Sequence, residues 1–251
     1  MEKYFLEVCV DSLESADAAM RGGADRLMIC SGMVLGGLTP DMSLFYEIKK
    51  RIDLETCVLI RPRCGDFCYT DEEFRLMKDG VRLFREAGAD AVAVGMLNPD
   101  GSLDVPRLDE LMLLTGKMKA VLNRCFDFCR DPMEAMEQAR MLGMRSILTS
   151  GQQSSCLDGR SVIAQLVLNA GDLEVIVGGG VRSTNIGALI KVTGAKGFHM
   201  SGAKETDSSM LYRKKGISLG LSEGNPYKIL RTDEEEVARV KAILNRSERV
   251  I

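Results

Sequence analysis

The chain has 251 residues, a length typical of one closed barrel of alternating strands and helices. Its 45% hydrophobic and 27% charged residues are ordinary for a globular protein, and its net charge of -3 gives no basic surface for nucleic acid. The sequence has no apolar run of about 18 residues, so we expect neither a secretory leader nor a membrane-spanning segment. We therefore expect a cytoplasmic protein whose eight cysteines stay reduced.

Eight short apolar segments alternate with amphipathic helical segments along the chain. The predicted strands are, in chain order, FLEVCV (5–10), RLMICS (26–31), CVLIRPR (57–63), AVAVGML (91–97), AVLNRCF (120–126), SILTSG (146–151), EVIVGGG (174–180) and GFHMSG (197–202). Nearly continuous apolar strands separated by helices are typical of parallel pairing with helices covering the sheet. The pattern predicts an α/β fold, a TIM-like (β/α)8 barrel over residues 1–203.

A glycine closes the helical segment before strands two, four, six and eight. These residues are Gly23, Gly88, Gly143 and Gly194. Glycine at this position suits the left-handed cap that ends a helix, and a repeat of this kind favours a closed barrel over an open sheet. The alternative is that short loops between helix and strand simply favour glycine.

Residues 204–251 follow the predicted barrel. They begin irregularly and end in a helical segment, TDEEEVARVKAILNRS, with a threonine cap at Thr232 and an acidic first turn. We find no linker between the two parts. The sequence therefore predicts a single domain whose C-terminal extension packs on the barrel or lies at an oligomer interface.

Polar side chains recur near the carboxyl ends of the predicted strands, where barrels of this type carry their active groups. Strand alternation places on shared faces Glu7, Cys9 and Asp11; Met28 and Cys30; Arg61 and Arg63; Asn123, Cys125 and Asp127; and His199 and Ser201. A polar mouth built from several strands indicates a ligand or catalytic pocket. In the alternative, some of these residues face the helices or form buried ion pairs, such as Glu7 with Arg61.

The glycine triplet Gly178–Gly180 follows strand seven and precedes a helix that Ser183 or Thr184 would cap. Backbone amides without side chains hold anions, and barrels often bind phosphate after strands seven and eight. Ser150 after strand six and Ser201 after strand eight would complete such a ligand site. A plain tight turn explains the triplet nearly as well.

Several of these segments together resemble the CutC family of copper homeostasis proteins, from about residue 4 to residue 203. They are LEVCVDSLESADAAMRGGADRLMICSGMVLGGLTP, LIRPRCGDFCYTDEEF, NRCFDFCRDPMEAMEQ, ILTSGQQSSCLDG, GGGV and FHMSG. The resemblance implies a TIM-like barrel, a cytoplasmic homodimer or homotetramer, and copper handling with Cys9 and Cys30 as Cu(I) ligands. Because adjacent strands lie about 4.8 Å apart, two such thiols would bind one Cu(I) ion linearly. Buried cysteines that only fill space are the alternative.

Two positions depart from the sequence usual in that family. Met28 stands where the family's RIELCS has a glutamate, and Asn123 stands where its HRAFD has a histidine. Both replacements remove titratable groups from the expected pocket. Acid–base catalysis would then depend on Glu7, Asp127 and His199.

Two functions from different classes follow from these patterns. The first is a copper homeostasis protein that binds Cu(I) through thiols at the barrel mouth. The second is a TIM-barrel enzyme, a lyase or isomerase, acting on a small anionic, phosphorylated or sugar-like metabolite, or a binding protein descended from one. Arg61, Arg63 and Arg124 would hold the anion, with Asn123 beside them.

Two further cysteine pairs follow strands three and five on the same rim. Cys64 and Cys68 form one C-x-x-x-C pair, and Cys125 and Cys129 form the other. Four thiols would suit a zinc-type site, but this spacing is looser than the C-x-x-C of structural zinc sites. We expect separate, reduced thiols.

Overall fold

The computed structural model describes residues 4–217 and 225–248. Eight parallel strands form a closed barrel in chain order, and β1 pairs with both β2 and β8. The strands are β1 Phe5–Val10, β2 Arg26–Ile29, β3 Glu55–Leu59, β4 Ala91–Val94, β5 Lys119–Leu122, β6 Ser146–Thr149, β7 Glu174–Val177 and β8 Gly197–Met200. The predicted TIM-like (β/α)8 barrel is confirmed.

Seven helices connect successive strands, and an eighth follows the barrel. They are α1 Leu13–Arg21, α2 Met42–Arg51, α3 Asp71–Glu86, α4 Val105–Thr115, α5 Pro132–Met141, α6 Arg160–Asn169, α7 Ile186–Thr193 and α8 Glu234–Glu248. Helix α3 begins in a capping box, in which the Thr70 hydroxyl and the Glu73 carboxylate each accept a backbone amide of the other residue. The four predicted helix-ending glycines all have positive φ, between 68° and 89°, so their left-handed geometry is confirmed.

The buried apolar residues form two layers. The larger layer lies between the strands and the helices. The smaller one fills the barrel and consists of Cys9, Met28, Cys30, Cys57, Leu59, Ala91, Ala93, Val121, Leu148 and Ile176. In the strand register, Cys9 lies opposite Met28, and Met28 lies opposite Cys57. Sulfur side chains therefore cover one wall of the barrel, from β1 to β3.

The C-terminal extension packs against the first helix and strand of the barrel. Strands β9 Ala203–Asp207 and β10 Lys228–Thr232 pair antiparallel. The backbone amide of Thr232 donates to the Ser15 hydroxyl at 3.1 Å, and that of Tyr4 donates to Glu248 at 2.6 Å. None of the described helices has the length and apolar character that crossing a membrane requires.

Two predicted helix caps were wrong. Thr232 lies in β10, and the carboxylate of Asp233 instead accepts an amide of the first turn of α8. Helix α7 has Asn185 at its N-cap position, whereas the amide and hydroxyl of Ser183 donate to Glu236 of α8. Since Glu236 binds the loop before α7, it ties the extension to the barrel.

Candidate functional site

Two thiols touch inside the barrel. Cys9 of β1 and Cys30, which directly follows β2, are both buried, and their Sγ atoms are 3.1 Å apart. The hydrogen bond between them and then burial raise the pKa of Cys9 well above that of an ordinary thiol. The negative charges of Glu7 and Asp11 act in the same direction. Cys9 is therefore protonated at neutral pH, and a metal ion would have to displace its proton.

Cys57 adds a further thiol to the same wall, which the sequence interpretation overlooked. It is fully buried, it lies opposite Met28, and burial raises its pKa well above the ordinary value. The sequence could have indicated this position through strand alternation. Cys57 lies four residues before Arg61, and therefore on the same face of the predicted strand.

A buried carboxylate joins three strands below the thiols. Glu7 accepts a hydrogen bond of 2.6 Å from Nε of Arg26 in β2 and one of 2.7 Å from Nδ1 of His199 in β8. Burial acts to raise the pKa of Glu7, but Arg26 and His199 outweigh it and lower the pKa below its ordinary value. Glu7 thus forms a buried ion pair, as in the alternative interpretation of the sequence, but its partner is Arg26 rather than Arg61. Arg26 was overlooked, although it shares a strand face with Met28.

The ionised Glu7 orients His199. Because the carboxylate accepts from Nδ1, the proton of a neutral imidazole lies on Nδ1, and Nε2 is left as an acceptor or ligand. Gly178 lies beside the ring, and a Cβ there would lie 2.8 Å from Cδ1 of Leu148, so the glycine leaves room for the leucine side chain inside the barrel. Within this group Glu7 positions the imidazole, and His199 is the residue able to move a proton. The catalytic roles assigned to both stay predictions.

A second polar network lies at the ends of β5 and β6. Asp127 accepts from Nε of Arg124 at 2.7 Å, from the Thr149 hydroxyl at 2.6 Å and from the Ser150 amide at 2.9 Å. Arg124 also donates to the Ser150 hydroxyl at 2.7 Å. The side chain of Asp127 is 4% exposed, whereas that of Arg124 is 40% exposed. Asp127 therefore holds Arg124 in place, and the guanidinium keeps an open face.

The glycine triplet lies beside this guanidinium. Gly179 has φ of 91° and Gly180 has φ of 90°, a region that side chains disfavour. A Cβ at Gly179 would lie 2.7 Å from Cβ of Ser150 and 3.6 Å from Cζ of Arg124. The absence of a side chain thus lets Ser150 approach the backbone after β7, with the guanidinium of Arg124 in contact distance of the same residue. The structure brings together Arg124, Ser150 and the glycines, as a site for a small anion requires.

The other two predicted anion-binding arginines are engaged elsewhere. Arg61 is buried, and its guanidinium donates to three backbone carbonyls in the loops after β2 and β3. Arg63 donates to Glu73 at 2.7 Å and to Asp66 at 3.0 Å. These contacts order the loops around the mouth. That Arg61 and Arg63 hold an anion stays a prediction. The anion site at Arg124 does not depend on them, because Arg124 is held by other residues.

Asn123 faces the barrel with an unused donor. Its Oδ1 accepts the amide of Cys125 at 2.9 Å, while its Nδ2 is buried and has no partner in the described part of the chain. Oδ1 of Asp11 and the hydroxyl of Tyr69 are likewise buried and have no hydrogen-bond partner among the described residues. Ser201, at the end of β8, accepts the amide of Ala203 at 3.3 Å. Buried polar atoms without partners indicate that the mouth accommodates water or a polar ligand.

The remaining cysteines are free thiols. Cys64 is exposed, Cys68 is half-buried, and Cys125 and Cys129 are buried. Burial raises the pKa of Cys129 to about 12. Over residues 4–217 and 225–248, the structure contains no group of three or more His, Cys, Asp or Glu side chains that would hold a metal ion.

Fold and site together define a (β/α)8-barrel protein with a buried thiol pair between its first two strands and a polar mouth. Comparison with known proteins identifies the family: the CutC family model matches residues 4–204. The chain belongs to this family.

Its relatives include the human copper homeostasis protein cutC homolog, 39% identical over 96% of this chain and 89% of the human protein. A CutC family protein of Klebsiella pneumoniae (strain 342) is 38% identical over 96% and 97% of the two chains. The crystal structure of CutC from Streptococcus agalactiae matches with a TM-score of 0.76 and 27% identity, covering 79% of this chain and 98% of that one. Thiamine phosphate pyrophosphorylase from Pyrococcus furiosus, at a TM-score of 0.57 and 14% identity over 98% and 97% of the chains, shares the fold alone.

Proposed function

We propose that the chain is a cytoplasmic copper homeostasis protein that binds Cu(I) through Cys9 and Cys30. The observation that carries the proposal is the contact of 3.1 Å between the two buried sulfur atoms. Thiolates are soft ligands that suit Cu(I). The human relative is named for copper homeostasis, and the free state of all eight cysteines is compatible with a reducing compartment.

The surroundings of the thiols favour a cation. Glu7 and Asp11 disfavour the thiolate of Cys9 through their negative charge, and a bound monovalent cation would offset that repulsion. The apolar side chains that fill the rest of the barrel exclude water from this wall. Copper held here would be kept away from water and other hard ligands.

The test measures Cu(I) affinity by anaerobic competition with a Cu(I) chelator. We expect Cys9→Ser and Cys30→Ser each to weaken binding by at least tenfold. The matched control is Cys156→Ser, which replaces a buried thiol outside the sulfur wall and should bind like the parent. Unchanged affinity in the double variant of Cys9 and Cys30 would refute the proposal.

A second candidate function is the binding or conversion of a small anionic metabolite, phosphorylated or sugar-like, as by a lyase or isomerase. The observation that favours it is the half-exposed guanidinium of Arg124, held by Asp127 and Ser150 against the glycine triplet. An arginine and nearby glycine backbone provide donors for phosphate or carboxylate. His199, with Nε2 available, would supply a proton-transfer group.

Thermal unfolding with inorganic phosphate and small sugar phosphates tests this second function. A ligand present at 100 times its Kd stabilises by about 2.7 kcal/mol, which raises Tm by roughly 5–10 °C for a chain of this size. Arg124→Gln should abolish the shift, while Arg82→Gln on the exposed face of α3 should keep it. Equal shifts in both variants would contradict the assignment.

The homodimer or homotetramer stays a prediction, which sedimentation velocity would test.

A further inference from the structure

The spacing of the two thiols does not suit linear copper coordination. A thiolate lies about 2.3 Å from a bound metal ion, so a linear arrangement would separate the two sulfurs by about 4.6 Å. Here the Sγ atoms of Cys9 and Cys30 are 3.1 Å apart. An ion at about 2.3 Å from both sulfurs would make an S–metal–S angle of roughly 85°. With this spacing the two thiols alone would not complete a linear site, and a further sulfur ligand would fit the site's chemistry.

Met28 is the sulfur side chain closest to both thiols in the strand register. It lies directly opposite Cys9 on the neighbouring strand and two residues before Cys30 on the same face of its own. Its side chain is 2% exposed. Methionine is unbranched and has three rotatable side-chain bonds, so its thioether adjusts to a nearby ion without movement of the backbone.

The other candidate ligands are less suitable. Cys57 lies one strand further away, opposite Met28. Within the described residues it forms no metal-binding group with Cys9 and Cys30. Glu7 is occupied by Arg26 and His199, and carboxylate oxygens are hard ligands that suit Mg²⁺ or Ca²⁺.

We propose that Met28 is a third ligand, whose thioether completes a three-sulfur site with Cys9 and Cys30 and makes the site selective for Cu(I) over Zn(II). The inference rests on the proposed copper binding. Zinc in proteins is held by thiolate, imidazole and carboxylate ligands and takes four of them in structural sites. A thioether is a soft ligand that favours Cu(I). Two thiols and a thioether therefore satisfy Cu(I) but leave Zn(II) without its usual ligands.

The experiment compares the parent protein with Met28→Leu, which removes the sulfur and nearly conserves the volume. Met144→Leu is the control, because Met144 is also buried but lies in the outer layer, between strands and helices. We expect Met28→Leu to weaken anaerobic Cu(I) binding at least tenfold and to leave Zn(II) affinity unchanged. X-ray absorption at the copper edge should count three sulfurs in the parent and in Met144→Leu, and two in Met28→Leu.

Selenomethionine labelling of the parent protein gives a second readout that replaces no residue. A selenium neighbour in the copper spectrum supports ligation by a methionine, and its loss in labelled Met28→Leu identifies the residue. Two sulfurs and no selenium around copper in the parent would overturn the role of Met28 and leave copper binding by the thiols intact. A parent protein that takes up no Cu(I) would overturn both proposals.

Discussion

Replacing Arg26 by leucine would leave the carboxylate of Glu7 inside the barrel without its principal countercharge. Nε of Arg26 lies 2.6 Å from the carboxylate, and the two side chains are 7% and 0% exposed. Breaking a buried ion pair by removing one partner costs about 3–5 kcal/mol, because the other charge stays buried. At roughly 2–4 °C per kcal/mol for a chain of this size, Tm should fall by about 6–20 °C.

The assays are thermal unfolding for Tm and urea unfolding for the free energy, both followed by circular dichroism, since the chain has no tryptophan. The double variant Glu7→Gln with Arg26→Leu should recover about 2 kcal/mol of the loss, because it removes the unpaired charge. Arg140→Leu, which breaks the exposed pair with Glu137, is the control and should change stability by less than about 1 kcal/mol. A loss below about 1 kcal/mol in Arg26→Leu, or no recovery in the double variant, would refute the reasoning.

Four further variants test other contacts. Gly95→Ala should cost about 1–3 kcal/mol in urea unfolding, because its Cβ would lie 2.2 Å from Oδ1 of Asn123. Gly187→Ala, which meets open space in α7, should instead stabilise by about 0.5–1 kcal/mol. Burial acts to raise the pKa of Glu236, but hydrogen bonds from Ser183 and Arg239 outweigh it and lower the pKa. The ionised Glu236 therefore stabilises the folded state fully above pH 4.5, the ordinary pKa of a glutamate. This stabilisation is lost as the pH falls through the lower pKa of the folded state. Glu236→Gln should be about 1–2 kcal/mol less stable at pH 7, with the gap to the parent closing in acid. Asp127→Ala should lose the phosphate-dependent rise in Tm, because Arg124 loses the carboxylate that positions it.

Each of these outcomes has a contrary result. Equal stability of the two alanine variants would show that the backbone at Gly95 yields without cost. If the difference in unfolding free energy between Glu236→Gln and the parent persists in acid, the effect is one of packing rather than of charge. A full phosphate response in Asp127→Ala would mean that Arg124 keeps its position without the carboxylate.

The fold could be predicted because its signal is repeated along the chain. Apolar strands, amphipathic helices and the glycines before alternate strands all indicate the same barrel. The strands β9 and β10 were missed because a segment such as AKETD has no apolar alternation, and three of its five residues are exposed. Their pairing with each other depends on contacts that local sequence does not carry.

The candidate site was only partly predictable. The sequence placed Cys9 and Cys30 on adjacent strands, but their separation of 3.1 Å depends on a strand register that no local pattern determines. The hydrogen-bond partners of Arg61 could not be predicted either, because they are backbone carbonyls of irregular loops. Residue type identifies a group able to bind an anion, whereas the tertiary structure decides what it binds.

The seam between β1 and β8 has a consequence for synthesis of the chain. Glu7 pairs there with His199, 192 residues further along the sequence, and α8 packs beside the seam from the end of the chain. Because β8 follows the other seven strands in the chain, a ribosome delivers it after them, and the growing sheet keeps two unpaired edges until β8 has been made. Exposed edges of this kind invite pairing with other chains. The pairing of β8 with β1 therefore does more than complete the barrel, because it removes both exposed sheet edges in one step.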